Sequence, residues 1–114
     1  MIKIYGIPNC NSVKKALDFI KSTKEEFEFI DFKKTKPSRE LVESWAKAVM
    51  IEKLFNTKGT KYRSSNLDFK AMGYSSRIDA LVEEPTMIKR PVIEYNGKTI
   101  VGFDEDLYTI ELVK

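Results

Sequence analysis

The chain has one cysteine, Cys10, and no histidine among its 114 residues. The lack of histidine excludes Ser-His and Cys-His catalytic pairs and any histidine-ligated metal site. A single cysteine also excludes an internal disulfide and a cysteine-rich zinc or iron–sulfur site. What remains is the chemistry of one thiol, which can attack a disulfide or another electrophile. Because Cys10 has no internal partner, a sulfur from another molecule must resolve the product.

The sequence around Cys10 favours the thiolate form. A strand-like segment at residues 2–5 and turn residues at 6–9 precede Cys10, and an amphipathic helical pattern follows it. The unpaired N–H groups and positive dipole end of a helix start favour a negative charge, and Lys14 and Lys15 add positive charge one turn further on. The alternative is that Cys10 is a small buried core residue, since free cysteines are commonly buried. Its position directly before a helix favours the reactive thiol.

Arg90 and Pro91 form a second candidate element, just before a predicted hairpin. We expect this loop to lie beside the first helix. A cis proline there exposes backbone groups that can pair with an extended thiol substrate such as glutathione. The alternative is that Pro91 begins an edge strand and Arg90 is a solvated charge.

The N-terminal part predicts a βαβ unit. Apolar and polar residues alternate over residues 2–5 and again over residues 27–32, which is typical of strands. Between them, apolar residues recur at helical spacing, namely Val13, Ala16, Leu17 and Ile20. Because a whole helix separates the two strands, we expect them to be parallel.

The middle of the chain predicts a helical segment. Ser38 follows Lys36-Pro37 as a helix N-cap, and the next helix has a buried stripe of Leu41, Val42, Trp45 and Val49. Ser76 and Asp79 have the spacing of a capping box for a later helix that Pro85 terminates.

The C-terminal part predicts a β-hairpin and a last helix. Strand patterns at residues 92–95 and 98–101 flank Asn96-Gly97, a dipeptide that tolerates positive φ and suits a type I′ turn. Asp104 is placed as a helix N-cap, with Phe103 and Tyr108 at the two positions that clasp across a helix start. We expect the following apolar residues of this helix to reach the sheet: Leu107, Ile110 and Leu112.

The order βαβ, helices, ββα predicts one α/β domain over residues 1–114: a thioredoxin-like mixed sheet with a helical insertion at about 36–86. The net charge of +3 gives no strong case for direct nucleic-acid binding, and no run is apolar enough to span a membrane. The N-terminus alternates like a strand, unlike a signal peptide. We expect a cytoplasmic monomer with no bound metal or cofactor.

Five segments, in order, resemble the arsenate reductase-like ArsC/Spx family over nearly the whole chain, closest to its YffB-like branch. They are Tyr5-Gly6-Ile7-Pro8-Asn9-Cys10, Lys14-Lys15-Ala16, Asn56-Thr57-Lys58-Gly59-Thr60, Ile88-Lys89-Arg90-Pro91-Val92 and Val101-Gly102-Phe103. The resemblance implies a thioredoxin-like fold, a nucleophilic Cys10 and an anion-binding Arg90 before a cis Pro91. We expect the other substrate- or anion-binding residues to be Asn11, Lys14, Asn56 and Lys58.

Two functions follow from the resemblance. The first is a thiol oxidoreductase, with Cys10 as the nucleophile and glutathione, or a glutaredoxin-type thiol, as the co-substrate that resolves the mixed disulfide. The second is a regulator that binds RNA polymerase without turnover, as the Spx branch does. Spx proteins usually carry a two-cysteine redox switch, but Val13 occupies the position of the second cysteine here. This argues against a redox-controlled form of the regulator.

The sequence departs from classical arsenate reductases in three places. Gly6 stands where those enzymes have a histidine, and Asn56 and Gly102 align with two of their three oxyanion-binding arginines, which leaves Arg90. Arsenate needs several donors to balance its charge, so we do not expect it to be the substrate.

Overall fold

The computed structural model describes residues 1–113, which contain four strands and six α-helices. These elements are β1 Ile2–Gly6, α1 Asn11–Ser22, β2 Phe27–Asp31, α2 Arg39–Val49, α3 Ile51–Leu54, α4 Thr60–Arg63, α5 Tyr74–Glu83, β3 Val92–Tyr95, β4 Lys98–Val101 and α6 Glu105–Leu112. Short 3-10 helices form at Phe69–Ala71 and Pro85–Met87. Within residues 1–113, no helix has the length and apolar character that crossing a bilayer requires.

The strands form one mixed sheet in the order β2-β1-β3-β4. β1 is parallel to β2, and β3 is antiparallel to both β1 and β4. The predicted βαβ unit and the hairpin are therefore confirmed. Asn96 and Gly97 have φ values of 51° and 75°, as a type I′ turn requires.

The chain divides into two compact units: residues 1–35 with the segment from residue 90 onward, and residues 36–89. The first unit contains the sheet with α1 and α6, and the second contains α2 to α5. That the whole chain acts as one domain with an insertion at about 36–86 stays a prediction.

The core of the first unit is built from alternate strand residues and one stripe of each helix. Its buried cluster consists of Ile2, Ile4, Ala16, Ile20, Ile93, Tyr95, Ile100, Tyr108 and Leu112. Burial of each large aliphatic side chain contributes roughly 1.5–3 kcal/mol. This packing fixes α1 against the sheet, and α1 begins directly after Cys10.

The last helix, α6, confirms one expectation and corrects another. Asp104 accepts a hydrogen bond from the Leu107 N–H at 3.1 Å, and the Phe103 and Tyr108 rings meet edge to face at 5.3 Å. The expectation that Leu107 and Ile110 reach the sheet is wrong, since their side chains are 37% and 73% exposed. The buried residues of α6 are Tyr108 and Leu112, four apart; a residue two positions from Tyr108 lies roughly 200° round the helix.

In the second unit the N-cap of α2 is confirmed, because Ser38 Oγ accepts from the Leu41 N–H at 3.1 Å. The Ser76–Asp79 capping box is wrong: α5 begins earlier, at Tyr74, with Gly73 as its N-cap residue. Asp79 instead forms an ion pair with Arg39 of α2. A tertiary partner therefore explains Asp79, and the local spacing does not.

Candidate functional site

Cys10 is the N-cap residue of α1, with extended backbone angles of φ −143° and ψ 126°. Its carbonyl oxygen accepts the Lys14 N–H at 2.9 Å, which closes the first turn of the helix. The Cys10 side chain makes no capping hydrogen bond and is half-buried, whereas Val13 and Ala16 on the same helix are fully buried. The thiol thus lies outside the buried core cluster of the first unit.

The first turn of α1 contains no acidic side chain. Asn11, the first helical residue, and Lys14 are both exposed. The positive end of the helix dipole is therefore not offset by a carboxylate of that turn, and the charge of Lys14 adds to it. The start of α1 is therefore a favourable place for a negatively charged group of a ligand.

Arg90 and Pro91 lie at the same end of the sheet as Cys10. β3 runs antiparallel to β1 and pairs Val92 with Tyr5, so the residues just before β3 adjoin the end of β1, after which the Cys10 loop begins. The Arg90–Pro91 peptide bond is cis, the isomer that the family resemblance implies. Arg90 is half-buried and Pro91 is buried.

Gly102 forms a backbone hydrogen bond to the segment that contains Pro91. Its N–H donates to the Pro91 carbonyl oxygen at 2.8 Å, and its own carbonyl oxygen accepts from the Tyr108 hydroxyl at 2.6 Å. Gly102 has a φ of 85°, a conformation that glycine adopts readily and arginine does not. The backbone at this position therefore favours the glycine over an oxyanion-binding arginine.

Gly6 ends β1 and approaches two other elements closely. A Cβ atom placed on Gly6 would lie 2.8 Å from Cγ2 of Val13 and 3.8 Å from Cβ of Arg90. The Gly6 carbonyl oxygen also accepts the Phe32 N–H at 2.8 Å. Sequence reasoning recorded the glycine but missed this contact, because the distance from β1 to α1 depends on tertiary packing.

Two tyrosines of the first unit have raised pKa values. Burial, and then a 2.8 Å hydrogen bond from its hydroxyl to Glu94, raise the pKa of Tyr5. Burial, with a smaller contribution from Asp104, raises the pKa of Tyr108. Both hydroxyls therefore stay protonated to higher pH than an exposed tyrosine, and they act as hydrogen-bond donors.

Asn56 and Lys58 lie in the second unit, in the turn that precedes α4. Asn56 Oδ1 accepts the Lys58 N–H at 3.2 Å, and the guanidinium of Arg63 donates to the Lys58 carbonyl oxygen at 3.1 and 2.8 Å. Asn56 and Arg63 thus have structural roles in this turn, while the Lys58 side chain is exposed. The structure places the other candidate residues in the first unit: Cys10, Asn11, Lys14, Arg90 and Pro91.

Residues 1–113 contain no group of three Cys, Asp or Glu side chains that is arranged to hold a metal ion. The candidate site therefore consists of the Cys10 sulfur and of the cationic and backbone groups near the end of β1.

The mixed sheet and the thiol at the start of α1 define a thioredoxin-like protein. The glutaredoxin of Archaeoglobus fulgidus shares this fold at a TM-score of 0.50 and 18% identity, over 97% of this chain and 84% of that one. Within that class the chain belongs to the ArsC family, whose family model matches residues 5–110. The resemblance carried by the five sequence segments is thereby confirmed.

Relatives match over nearly the full chain. An uncharacterised protein of Haemophilus influenzae is 31% identical over 109 residues, 95% of this chain and 96% of that protein. The solved structure of the protein YFFB has a TM-score of 0.93 at 32% identity and covers 99% of this chain and 100% of that one. An arsenate reductase (ArsC) related protein from Brucella melitensis has a TM-score of 0.76 at 34% identity, covering 96% and 92%.

Transcriptional regulators are also among the relatives. The regulatory protein MgsR of Bacillus subtilis is 23% identical and matches over 90% of this chain and 83% of its own length. The global transcriptional regulator Spx of Lactiplantibacillus plantarum is 23% identical, over 93% and 82%. The chain is therefore similar both to reductase-related proteins and to regulators.

Proposed function

We propose that the protein is a glutathione-dependent thiol oxidoreductase with Cys10 as its nucleophile. The Cys10 thiolate attacks one sulfur of a substrate disulfide, forms a mixed disulfide and releases the other half of the substrate as a thiolate. The thiolate of glutathione then attacks the substrate sulfur of that mixed disulfide. The Cys10 thiolate is restored, and glutathione leaves joined to the substrate half by a disulfide.

One observation carries this proposal: the half-buried thiol of the N-cap residue of α1 lies at the sheet end where Arg90 precedes β3, and the first turn of α1 has no acidic side chain. Arg90 and Lys14 supply positive charge for the carboxylates of glutathione. Asn11 and the backbone beside Pro91 supply hydrogen-bonding groups. Binding by Asn56 and Lys58 stays a separate prediction, since these residues belong to the other unit.

The direct test is to incubate the protein with oxidised glutathione and to weigh the intact protein. We expect one glutathione adduct on Cys10 and none on Cys10→Ser. Glutathione-linked reduction of a small disulfide should be lost in Cys10→Ser and kept in Arg63→Gln, a matched surface control whose wild-type guanidinium donates to the Lys58 carbonyl oxygen of the same turn. Full activity in Cys10→Ser would refute the proposal.

The proposal does not extend to arsenate. Arg90 is the one family arginine that this chain keeps, and the positive φ of Gly102 disfavours a second. We expect arsenate reduction, measured as arsenite formed with glutathione and glutaredoxin present, to stay at the level of Cys10→Ser. Cys10-dependent arsenite formation would overturn this part of the proposal.

The regulators among the relatives favour a second candidate function, an adaptor that binds RNA polymerase without turnover. Such an adaptor would not depend on the thiol, because no second cysteine exists to form a switch. Immobilised wild-type protein and Cys10→Ser would then recover RNA polymerase subunits from cell extract equally well. Absence of those subunits from both samples would leave the oxidoreductase as the one candidate.

A further inference from the structure

Gly6, which has no side chain, packs closely against α1. The position of a Cβ on Gly6 is 2.8 Å from Cγ2 of Val13, closer than real Cβ contacts come. Val13 is fully buried, and a β-branched side chain in a helix has one strongly preferred χ1 rotamer, so it cannot easily turn away. Any side chain at Gly6 must therefore displace α1, β1 or both.

Gly6 also connects the two parts of the candidate site. Val13 lies three residues after Cys10, in the first turn of α1, and Gly6 contacts it on one side. The Cβ atom of Arg90 lies 3.8 Å from the same Cβ position. An added Cβ would meet Arg90 at an ordinary van der Waals distance and would clash with Val13, so a side chain at Gly6 would move the start of α1 relative to Arg90.

We propose that Gly6 is a positioning residue: its missing side chain lets Val13 pack so that the start of α1 places Cys10 and Arg90 to act on one anionic disulfide substrate. The proposal rests on the proposed function and names the substrate class of that site, a disulfide that carries carboxylates. In the tested step the Cys10 thiolate attacks oxidised glutathione, a Cys10–glutathione disulfide forms, and one glutathione thiolate leaves.

The experiment compares an anionic with a neutral reagent. Oxidised glutathione requires Cys10 and Arg90 together, whereas iodoacetamide, which is uncharged, requires only an accessible thiolate. We expect Gly6→Ala to lower the rate constant for glutathione adduct formation about tenfold, since a displacement on the order of 1 Å is costly for a positioned reaction. The rate constant for iodoacetamide should change less than about threefold.

The double variant Gly6→Ala/Val13→Ala separates positioning from general damage. It removes the two methyl groups that the new Cβ would meet, so we expect it to fold and to recover the glutathione rate. If Gly6→Ala fails to fold, the rate constant for glutathione adduct formation is compared between the double variant and the wild type instead. Failure of the double variant to fold, or a glutathione rate that stays low in it, overturns the inference.

The remaining outcomes distinguish the inference from the proposed function. Unchanged rates with both reagents in folded Gly6→Ala overturn the inference and leave the proposed function standing. An equal loss with both reagents also overturns it, because access and not alignment would then be affected. A wild-type protein that forms no glutathione adduct overturns the proposed function itself, and the inference with it.

Discussion

The two units use their cationic side chains differently. In the second unit, Arg39 pairs with Asp79, Arg63 binds the Lys58 carbonyl oxygen and Arg77 binds the Phe69 carbonyl oxygen. Each of these three guanidiniums supports the fold of its own unit. In the first unit, Lys14 and Arg90 instead flank the loop that carries the thiol.

This difference shows that charge and exposure alone do not locate a binding site. Lys58 is a candidate anion-binding residue by the family resemblance, but in the structure its carbonyl oxygen accepts from Arg63, which supports the turn before α4. We therefore expect substitutions of second-unit arginines to lower stability and leave Cys10 chemistry intact. Substitution of Arg90 should lower the rate of Cys10 chemistry with an anionic disulfide.

The largest stability effect should come from Arg77. Its guanidinium donates to the Phe69 carbonyl oxygen at 3.1 and 2.8 Å and lies 3.7 Å from the centroid of the Phe69 ring. We expect Arg77→Ala to lower the free energy of unfolding in urea by about 2–3 kcal/mol. Arg77→Lys should recover less than half of this loss because it lacks the planar fork. Full recovery by lysine would show that charge alone matters there.

Substitution of Tyr108 tests the stability that one buried hydrogen bond contributes to the first unit. Loss of its buried hydrogen bond to Gly102 should make Tyr108→Phe less stable by about 1–2 kcal/mol at pH 7. The raised pKa of Tyr108 means that its contribution is complete below the unfolded pKa of about 10 and is lost as the pH rises towards the higher folded value. Urea titrations at pH 8, 9.5 and 11 should show the difference between wild type and Tyr108→Phe shrinking. If the difference in unfolding free energy stayed constant over this pH range, the pKa of Tyr108 would not be raised in the folded protein.

Substitution of Arg90 tests whether a cation of the first unit contributes to the reaction of Cys10 with oxidised glutathione. Arg90→Gln should lower the rate of glutathione adduct formation about tenfold, roughly 1.4 kcal/mol, and should leave alkylation by iodoacetamide nearly unchanged. Arg63→Gln is the matched control and should lower only the unfolding free energy. If the two variants change the glutathione rate equally, the distinction between the units fails.

Substitution of Met50 should have the smallest effect on the free energy of unfolding, and it should raise this free energy where the other substitutions lower it. It joins α2 to α3 with a φ of 74°, and its side chain is 62% exposed, so it gains little from packing. We expect Met50→Gly to raise the unfolding free energy by about 1 kcal/mol, because glycine adopts this backbone at little cost. Met50→Ala keeps the Cβ and should give no such gain. Equal effects of glycine and alanine would exclude backbone strain as the cause.

Features encoded by neighbouring residues could be predicted from the sequence. The Asn96-Gly97 turn depends on local φ preferences, and the caps at Ser38 and Asp104 depend on side chains that bind the backbone three residues away. Ile110 and Ser76 were misplaced because the same local patterns fit more than one helix phase or start. Tertiary packing chose between them.

The candidate site was predictable to a similar degree. The position of Cys10 before α1 followed from residue order, and the cis Arg90–Pro91 bond followed from the family resemblance. The contact of Gly6 with Val13 and Arg90 could not be predicted, since it depends on three separate segments meeting at a distance that no local pattern encodes.

The Tyr108 hydroxyl has a practical consequence for anyone who shortens this chain. It binds the carbonyl oxygen of Gly102, whose N–H in turn holds the carbonyl oxygen of Pro91. Truncation before Tyr108 would therefore release a tether that runs back to the cis proline, and a C-terminal deletion intended as harmless trimming would reach the loop next to the thiol.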